Sequence, residues 1–436
     1  MPERQVATSR HASTFALRAQ RSRVDTVAQA SVAALFRLAT LCLVRPRVAF
    51  EPGARLEPRT VIVFSHKRDI DIPALVYATF AAPFGVRWIG RVTFIGRADI
   101  YVPGFLGLYY PQLPRALRRW LFLLDIGGIL RMLRVVPART AGPRTIADWL
   151  RDLAPLYPPD TPLGALLSAD GLARAAQAGV PPELPLGAVF AWRYEEWLGQ
   201  QVGPEMFGSE VMARLRVREA REVPRLLAVA RKALRENGIL VIAPEGQLSP
   251  DGRMRPFRSG LHYLLRDLPD ASILPVGFTY DLLGQRRPVL FIRVGALRPV
   301  QPDLPRRAFD EQLRADLARL GTVTLAHIVA RVLFDELGEG TAAVATADLA
   351  RRAWRSARSL AHAGRRLDPA LLERKRFAAR FAQLLRAARG RGLDERGGQV
   401  RIDWALLHQP VNGWLENPLG YAYNESRDLP AWSELV

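Results

Sequence analysis

Short apolar runs rich in β-branched and aromatic residues recur along this chain, at 60–65 (TVIVFS), 93–96, 239–243, 273–278 and 289–294, and helical patterns such as 224–237 lie between them. Runs of this length suit buried strands, and strands that alternate with helices build a largely parallel sheet. The expected fold class is therefore α/β, a mostly parallel or mixed sheet flanked by helices, carrying an inserted segment and a helical C-terminal extension. A chain of 436 residues, 49% of them hydrophobic, is long enough to bury such a core.

Composition shifts divide the chain. Residues 1–44 read as a basic arm, with Arg4, Arg10, Arg18, Arg21 and Arg23, followed by an apolar helix at 31–44. Residues 45–300 form the sheet domain, interrupted at about 141–218 by Pro- and Gly-rich pieces such as YPPDTPLG and GVPPELPLG. Residues 301–436 read as a helical, Arg-rich region in which strand signals vanish, and no internal repeat is evident. The window 351–400 holds 14 Arg or Lys against 4 Asp or Glu, so half of the net charge of +20 lies there.

That charge calls for an anionic partner, either nucleic acid or the anionic lipid of a cytoplasmic leaflet. The single cysteine, Cys42, forbids an internal disulfide and fits a reducing compartment. No apolar run reaches the ~20 residues that cross a bilayer, and the 31–44 run carries Arg37 at its middle. A peripheral or monotopic association with the cytoplasmic face of a membrane is expected, and a transmembrane span is not.

Two segments could carry chemistry. Ser65-His66-Lys67-Arg68-Asp69-Ile70-Asp71 follows a buried strand, where α/β proteins place their sites. A neutral His66 can take a proton from a hydroxyl if a carboxylate, Asp69 or Asp71, holds its tautomer. Residues five apart do not face each other on a helix, so His66 and Asp71 meet only if the histidine lies in the loop before the first turn. The same residues also read as a helix-start histidine with no chemical role. His262 and Asp267 repeat the spacing inside a continuous helical pattern and should diverge. The second segment, Ala243-Pro244-Glu245-Gly246-Gln247-Leu248-Ser249, ends the strand GILVIA, with Arg253, Arg255 and Arg258 beyond it as an anion-binding cluster; taken alone it reads first as a strand-ending turn, with Asp251-Gly252 closing a loop.

Four blocks in order resemble the glycerolipid acyltransferases, the group that includes 1-acylglycerol-3-phosphate acyltransferase. SHKRDID is similar to the family's H-x4-D block. FIGRADIYVPGFLGLYY with GGILRMLRVVPAR is similar to the second, with Gly96, Arg97 and Arg139 in matching positions. PEGQLSPDGRMRPFRSG is similar to the third, with Glu245, Gly246, Phe257 and Gly260, and ILPVGF to the fourth, with Pro275. The resemblance covers residues 45–140 and 219–300 and makes 45–300 an acyltransferase domain. It implies a membrane-associated O-acyltransferase of phospholipid biosynthesis that takes a fatty acyl group from acyl-CoA or acyl-carrier protein. The acceptor would be a hydroxyl of a lysophospholipid, glycerol phosphate or related lipid. His66 would be the general base and Asp71 its orienting partner. Gly96, Arg97, Glu245, Gly246, Arg258 and Pro275 would serve substrate binding, with Arg139 at a phosphate. No bound cofactor or metal is implied; the acyl thioester is a co-substrate.

One departure bears on the acceptor. The family's third block reads Glu-Gly-Thr-Arg-Ser, and here Gln247 and Leu248 replace the threonine and arginine. Either Arg253, Arg255 or Arg258 supplies the missing charge, or the acceptor is not a glycerol phosphate. Patterns of other enzyme classes are absent: no G-x-S-x-G elbow, no phosphate-binding G-x-x-x-x-G-K-[ST] loop and no H-E-x-x-H occurs. The alternative is a catalytically silent scaffold that binds anionic lipid or nucleic acid through its Arg-rich tail, 351–396; of the two, nucleic acid is not expected.

Overall fold

The computed structural model describes residues 23–79, 88–101, 104–109, 113–124, 126–138, 144–249, 251–284, 287–338, 340–409 and 417–429. The basic arm before residue 23 lies outside them. The strands are β1 (Arg45–Phe50), β2 (Thr60–Phe64), β3 (Val92–Arg97), β4 (Val135–Ala138), β5 (Arg144–Thr145), β6 (Gln201–Val202), β7 (Ile239–Ile242), β8 (Ser272–Asp281), β9 (Val289–Val294), β10 (Arg298–Pro299), β11 (Ala343–Ala345), β12 (Leu393–Arg396) and β13 (Gln399–Ile402). The protein is α/β, as its sequence pattern implies.

The chain divides into two compact units. The larger comprises Ala30–Arg91 and Glu236–Val436. Its strands run β1-β9-β8-β2-β7, with β10 beside β8. The pairs β1–β9, β8–β2 and β2–β7 are parallel, and β8–β9 is antiparallel. All five residues of β2 are buried, which suits the β-branched run Thr60-Val61-Ile62-Val63. Register then places the loops. Val63 stands opposite Ile242 of β7, so the segments after these parallel strands emerge side by side. β8 pairs with β2 only as far as Val276 opposite Phe64, and its last five residues project past the end of β2 beside the loop that follows.

Beyond residue 301 the expectation of helix alone is corrected. Strands β11, β13 and β12 form a small antiparallel sheet. The signal is hidden because Asp394, Glu395, Arg396 and Arg401 fill much of two four-residue strands, leaving only Val400 and Ile402 as an inward alternation in β13. Gly397 and Gly398 close the hairpin at φ +58° and +76°, a two-residue turn that side chains rarely adopt. This sheet shares a core with the helices Leu325–Arg331, Thr346–His362 and Arg374–Ala388. Trp354 and Phe377 pack into that core, edge to face at 5.0 Å, instead of forming an apolar face among the arginines. Arg380 is drawn inside as well, paired with Asp281 at the end of β8.

The second unit comprises Met1–Gln29 and Val92–Arg235. Here β3 and β4 pair in parallel, and β5 and β6 antiparallel. The Pro-rich insertion has its own core, built on Ile146, Leu150, Leu163, Leu166, Leu186, Trp197 and Leu215, all buried. It also holds a short duplication that the sequence reading passes over. Pro162-Leu163-Gly164-Ala165 and Pro185-Leu186-Gly187-Ala188 both form 3-10 turns, and Pro162 and Pro185 face each other across an antiparallel bridge.

The N-terminal helix, Arg23–Leu43, corrects the expectation about length. It begins eight residues before the apolar run, and 21 residues rise ~31 Å, close to the hydrocarbon thickness of a bilayer. Its stretch Thr26–Leu43 is long and apolar enough to cross a membrane, with only 17% of it buried. Leu35 and Leu38 are each 60% exposed.

If the 301–436 region folds on the core described, Leu333→Ala, which empties a fully buried position, should cost about 2–5 kcal/mol in a denaturant titration. A loss below ~1 kcal/mol would mean that this core is not packed.

Candidate active site

His66 lies in the loop after β2, and the next helix, Asp71–Thr79, begins at Asp71 itself. The histidine thus precedes the first turn, and its Nδ1 approaches Asp71 Oδ2 at 3.2 Å. The Asp71 carboxylate is fully buried. Oδ2 also accepts the backbone N–H groups of Lys67 at 2.6 Å and Arg68 at 2.8 Å. Oδ1 accepts the hydroxyl of Tyr280 from the projecting end of β8. An ionised carboxylate only accepts, so His66 Nδ1 must carry the proton and Nε2 holds the basic lone pair. The His66 side chain keeps 14% of its surface exposed while Asp71 keeps none, so the ring edge is reachable and its partner is not. Asp69, the other carboxylate candidate, is exposed. Tyr280 is pushed well above the usual tyrosine range by burial and then by the Asp71 charge, which keeps it a neutral donor.

The loop after β7 is tied to the same place. Glu245, 1% exposed, accepts Ser65 Oγ at 2.6 Å on Oε1, and on Oε2 Ser249 Oγ at 2.6 Å and the Arg255 N–H at 2.8 Å. The N–H of Ser249 donates to the His66 carbonyl at 2.8 Å. In this structure Glu245 therefore fastens one loop to the other, its oxygens occupied by protein donors. Gly246 sits at φ +67°, where a side chain would also press on Arg258 Cγ at 3.3 Å. Arg258 is exposed beside it. Arg255 pairs with Asp251 at 2.9 Å, and Arg253 Nε donates to Asn424 at 3.1 Å. Pro275 is buried in β8 opposite Val63, one residue before the ladder with β9 begins.

Lys67 is buried as well. Its ammonium lies 2.5 Å from Glu425 Oε1 and 3.2 Å from the Phe278 carbonyl, and the other Glu425 oxygen lies 3.0 Å from His327 Nε2. Burial pushes Lys67 down and Glu425 up, but their mutual attraction reverses both, leaving the lysine above and the glutamate below its ordinary range. Arg68 places its guanidinium 5.7 Å from the ring centre of Tyr280 and 4.6 Å from that of Tyr421.

Gly96 and Arg97 belong to the other unit. Gly96 stands opposite Pro137, and a Cβ there would lie 2.6 Å from Val135, so close pairing of β3 with β4 requires glycine. Arg97 binds Asp99 through Nε at 3.0 Å and stacks on Tyr109 at 5.1 Å. Arg139 lies outside the described residues. His262 does not turn toward Asp267; its Nε2 lies 3.0 Å from the Leu304 carbonyl. Tyr280, Lys67, Glu425 and His327 are the contributors to which sequence reasoning gave no role; Lys67 lies inside the first block and Tyr280 two residues past the fourth, while Glu425 and His327 stand near no motif.

Residues 198–279 match the family model Acyltransferase. The matched segment takes in β7, the Glu245 loop, the Gly260–Arg266 helix and β8 through Thr279. It does not reach His66 or Asp71. No curated protein matches the chain.

Glu245→Ala should strand three donors, two of them buried and one part-buried, and cost on the order of 3 kcal/mol by denaturant titration. A loss below ~1 kcal/mol would show that water replaces the carboxylate.

Proposed function

We propose that the protein is a membrane-associated O-acyltransferase in which His66 is the general base. The observation that carries this reading is the His66–Asp71 contact, a reachable imidazole whose Nδ1 is held by a buried carboxylate. An acceptor hydroxyl gives its proton to His66 Nε2 as its oxygen attacks the thioester carbonyl of acyl-CoA or acyl-carrier protein. The tetrahedral intermediate then expels the thiolate, and the imidazolium returns the proton to it. The products are an ester and a free thiol, so the base is regenerated without any other reactant. Asp71 steadies the imidazolium, and its three further donors keep that carboxylate from turning away.

The acceptor is proposed to be a lipid, which the exposed apolar helix Thr26–Leu43 and the net charge of +20 would bring within reach at an anionic membrane surface. With Leu248 where the family has arginine, Arg258 is the side chain best placed to receive a phosphate, since it borders the Gly246 turn.

The deciding measurement is thiol release from a long-chain acyl-CoA or acyl-carrier protein by the full chain in detergent, offered a panel of lipid acceptors. His66→Ala should lower kcat by roughly 100- to 10,000-fold and leave vesicle binding unchanged, while His262→Ala should alter neither. Silence of the wild-type protein with both donors would overturn acyl transfer in favour of a binding scaffold. For a phosphate-bearing acceptor, Arg258→Ala should raise KM about tenfold without affecting a neutral acceptor. An equal change with both acceptors would remove Arg258 from that role.

A further inference from the structure

The helix Pro418–Arg427 lies more than 340 positions from His66 in sequence, yet it touches both loops of the site. Tyr421 faces the Arg68 guanidinium, and a side chain at Gly252 would strike the Tyr421 carbonyl at 2.8 Å. Asn424 accepts from Arg253 Nε, and Asp428, just past the helix, accepts the N–H of Met254 at 2.5 Å. At the centre of these contacts is Glu425, 1% exposed.

Both oxygens of Glu425 have assigned partners. Oε1 takes the Lys67 ammonium at 2.5 Å. Oε2 lies 3.0 Å from His327 Nε2, and because His327 Nδ1 accepts the Thr324 N–H at 3.2 Å, the proton sits on Nε2 and is donated to Glu425. Lys67 is one of only three lysines among 62 basic residues, and it stands where a compact ammonium fits between one carboxylate and one carbonyl. Burying such a pair gains little stability over apolar packing, so its use here asks for another reason. The reason is visible in the backbone, because the Lys67 N–H is also the 2.6 Å donor to Asp71 Oδ2.

We propose that Glu425 is a positioning residue for His66: by gripping the Lys67 side chain it fixes the loop backbone that holds Asp71 against the imidazole. The 418–427 helix is then part of the site's machinery. This inference rests on the acyl-transfer reading for its kinetic consequence but not for its structural one.

The test compares the full-length wild type with Glu425→Gln by residue-resolved amide hydrogen exchange and by acceptor-dependent thiol release. The Lys67 and Arg68 amides should exchange about tenfold faster in the variant while the β2 amides stay protected. The kcat should fall about 10- to 100-fold with the KM for the acyl donor within about threefold of wild type. Unchanged exchange at Lys67 and Arg68, or an equal rise throughout β2, would overturn the proposal. Should Glu425→Gln not fold, the double variant Lys67→Met/Glu425→Leu removes both charges together; it should keep β2 protected and still lose kcat, and wild-type kcat in it would equally overturn the proposal. If the wild type releases no thiol but Glu425→Gln still loosens Lys67 and Arg68, acyl transfer fails and the positioning role stands.

Discussion

A single buried carboxylate organises the centre of the larger unit. Asp71 takes a histidine ring, two backbone N–H groups and a tyrosine hydroxyl, and these come from one loop and from the overhanging end of β8. A buried carboxylate left without donors would cost several kcal/mol. Here four donors meet it, and the tautomer of His66, with the proton on Nδ1, is the one that makes it the fourth. The sheet register supplies the geometry, because β2 stops where β8 continues. Tyr280 reaches Asp71 for that reason and needs no special loop.

The sequence was most legible where burial is uniform. The runs at 60–65, 93–96, 239–243, 273–278 and 289–294 all lie within strands or at their ends, since a strand covered on both faces reads as a near-continuous apolar run; β3 is the partial case, buried only at its first two residues. The His66–Asp71 pair was legible for a local reason, a loop histidine placed before a helix-starting aspartate. Tyr280 and Glu425 were not, because they meet the loop from 209 and 358 positions away, and His327 joins only through Glu425, 98 positions from it; no spacing rule reaches that far. The strands β12 and β13 were hidden by charged residues on their outward faces. The length of the N-terminal helix was missed because Asp25, Thr26 and Gln29, just before the apolar run, break its apolar pattern without breaking the helix.

The Arg-rich C-terminal region owes its order to packing on the sheet domain's strands as much as to its own helices. Its core includes Leu283, just after β8, and Arg380 pairs with Asp281 at the end of that strand. The arginine count of this region therefore misleads when it is read as a free basic tail. Trp354, Phe377 and Phe381 pack in its core, and several of its arginines pair with neighbouring carboxylates, as Arg351 and Arg352 do with Asp348.

The fastening of the Glu245 loop to the His66 loop has a consequence for how such a site can change. Ser65, Ser249 and the His66 carbonyl tie the two turns into one rigid body. The Gly246 turn therefore cannot be displaced without dragging the His66 loop with it. Change that leaves the knot intact falls to side chains outside the bonds named above, such as Gln247, Leu248 and the exposed Arg258. The two turns share one hinge here, which limits how far either can drift alone.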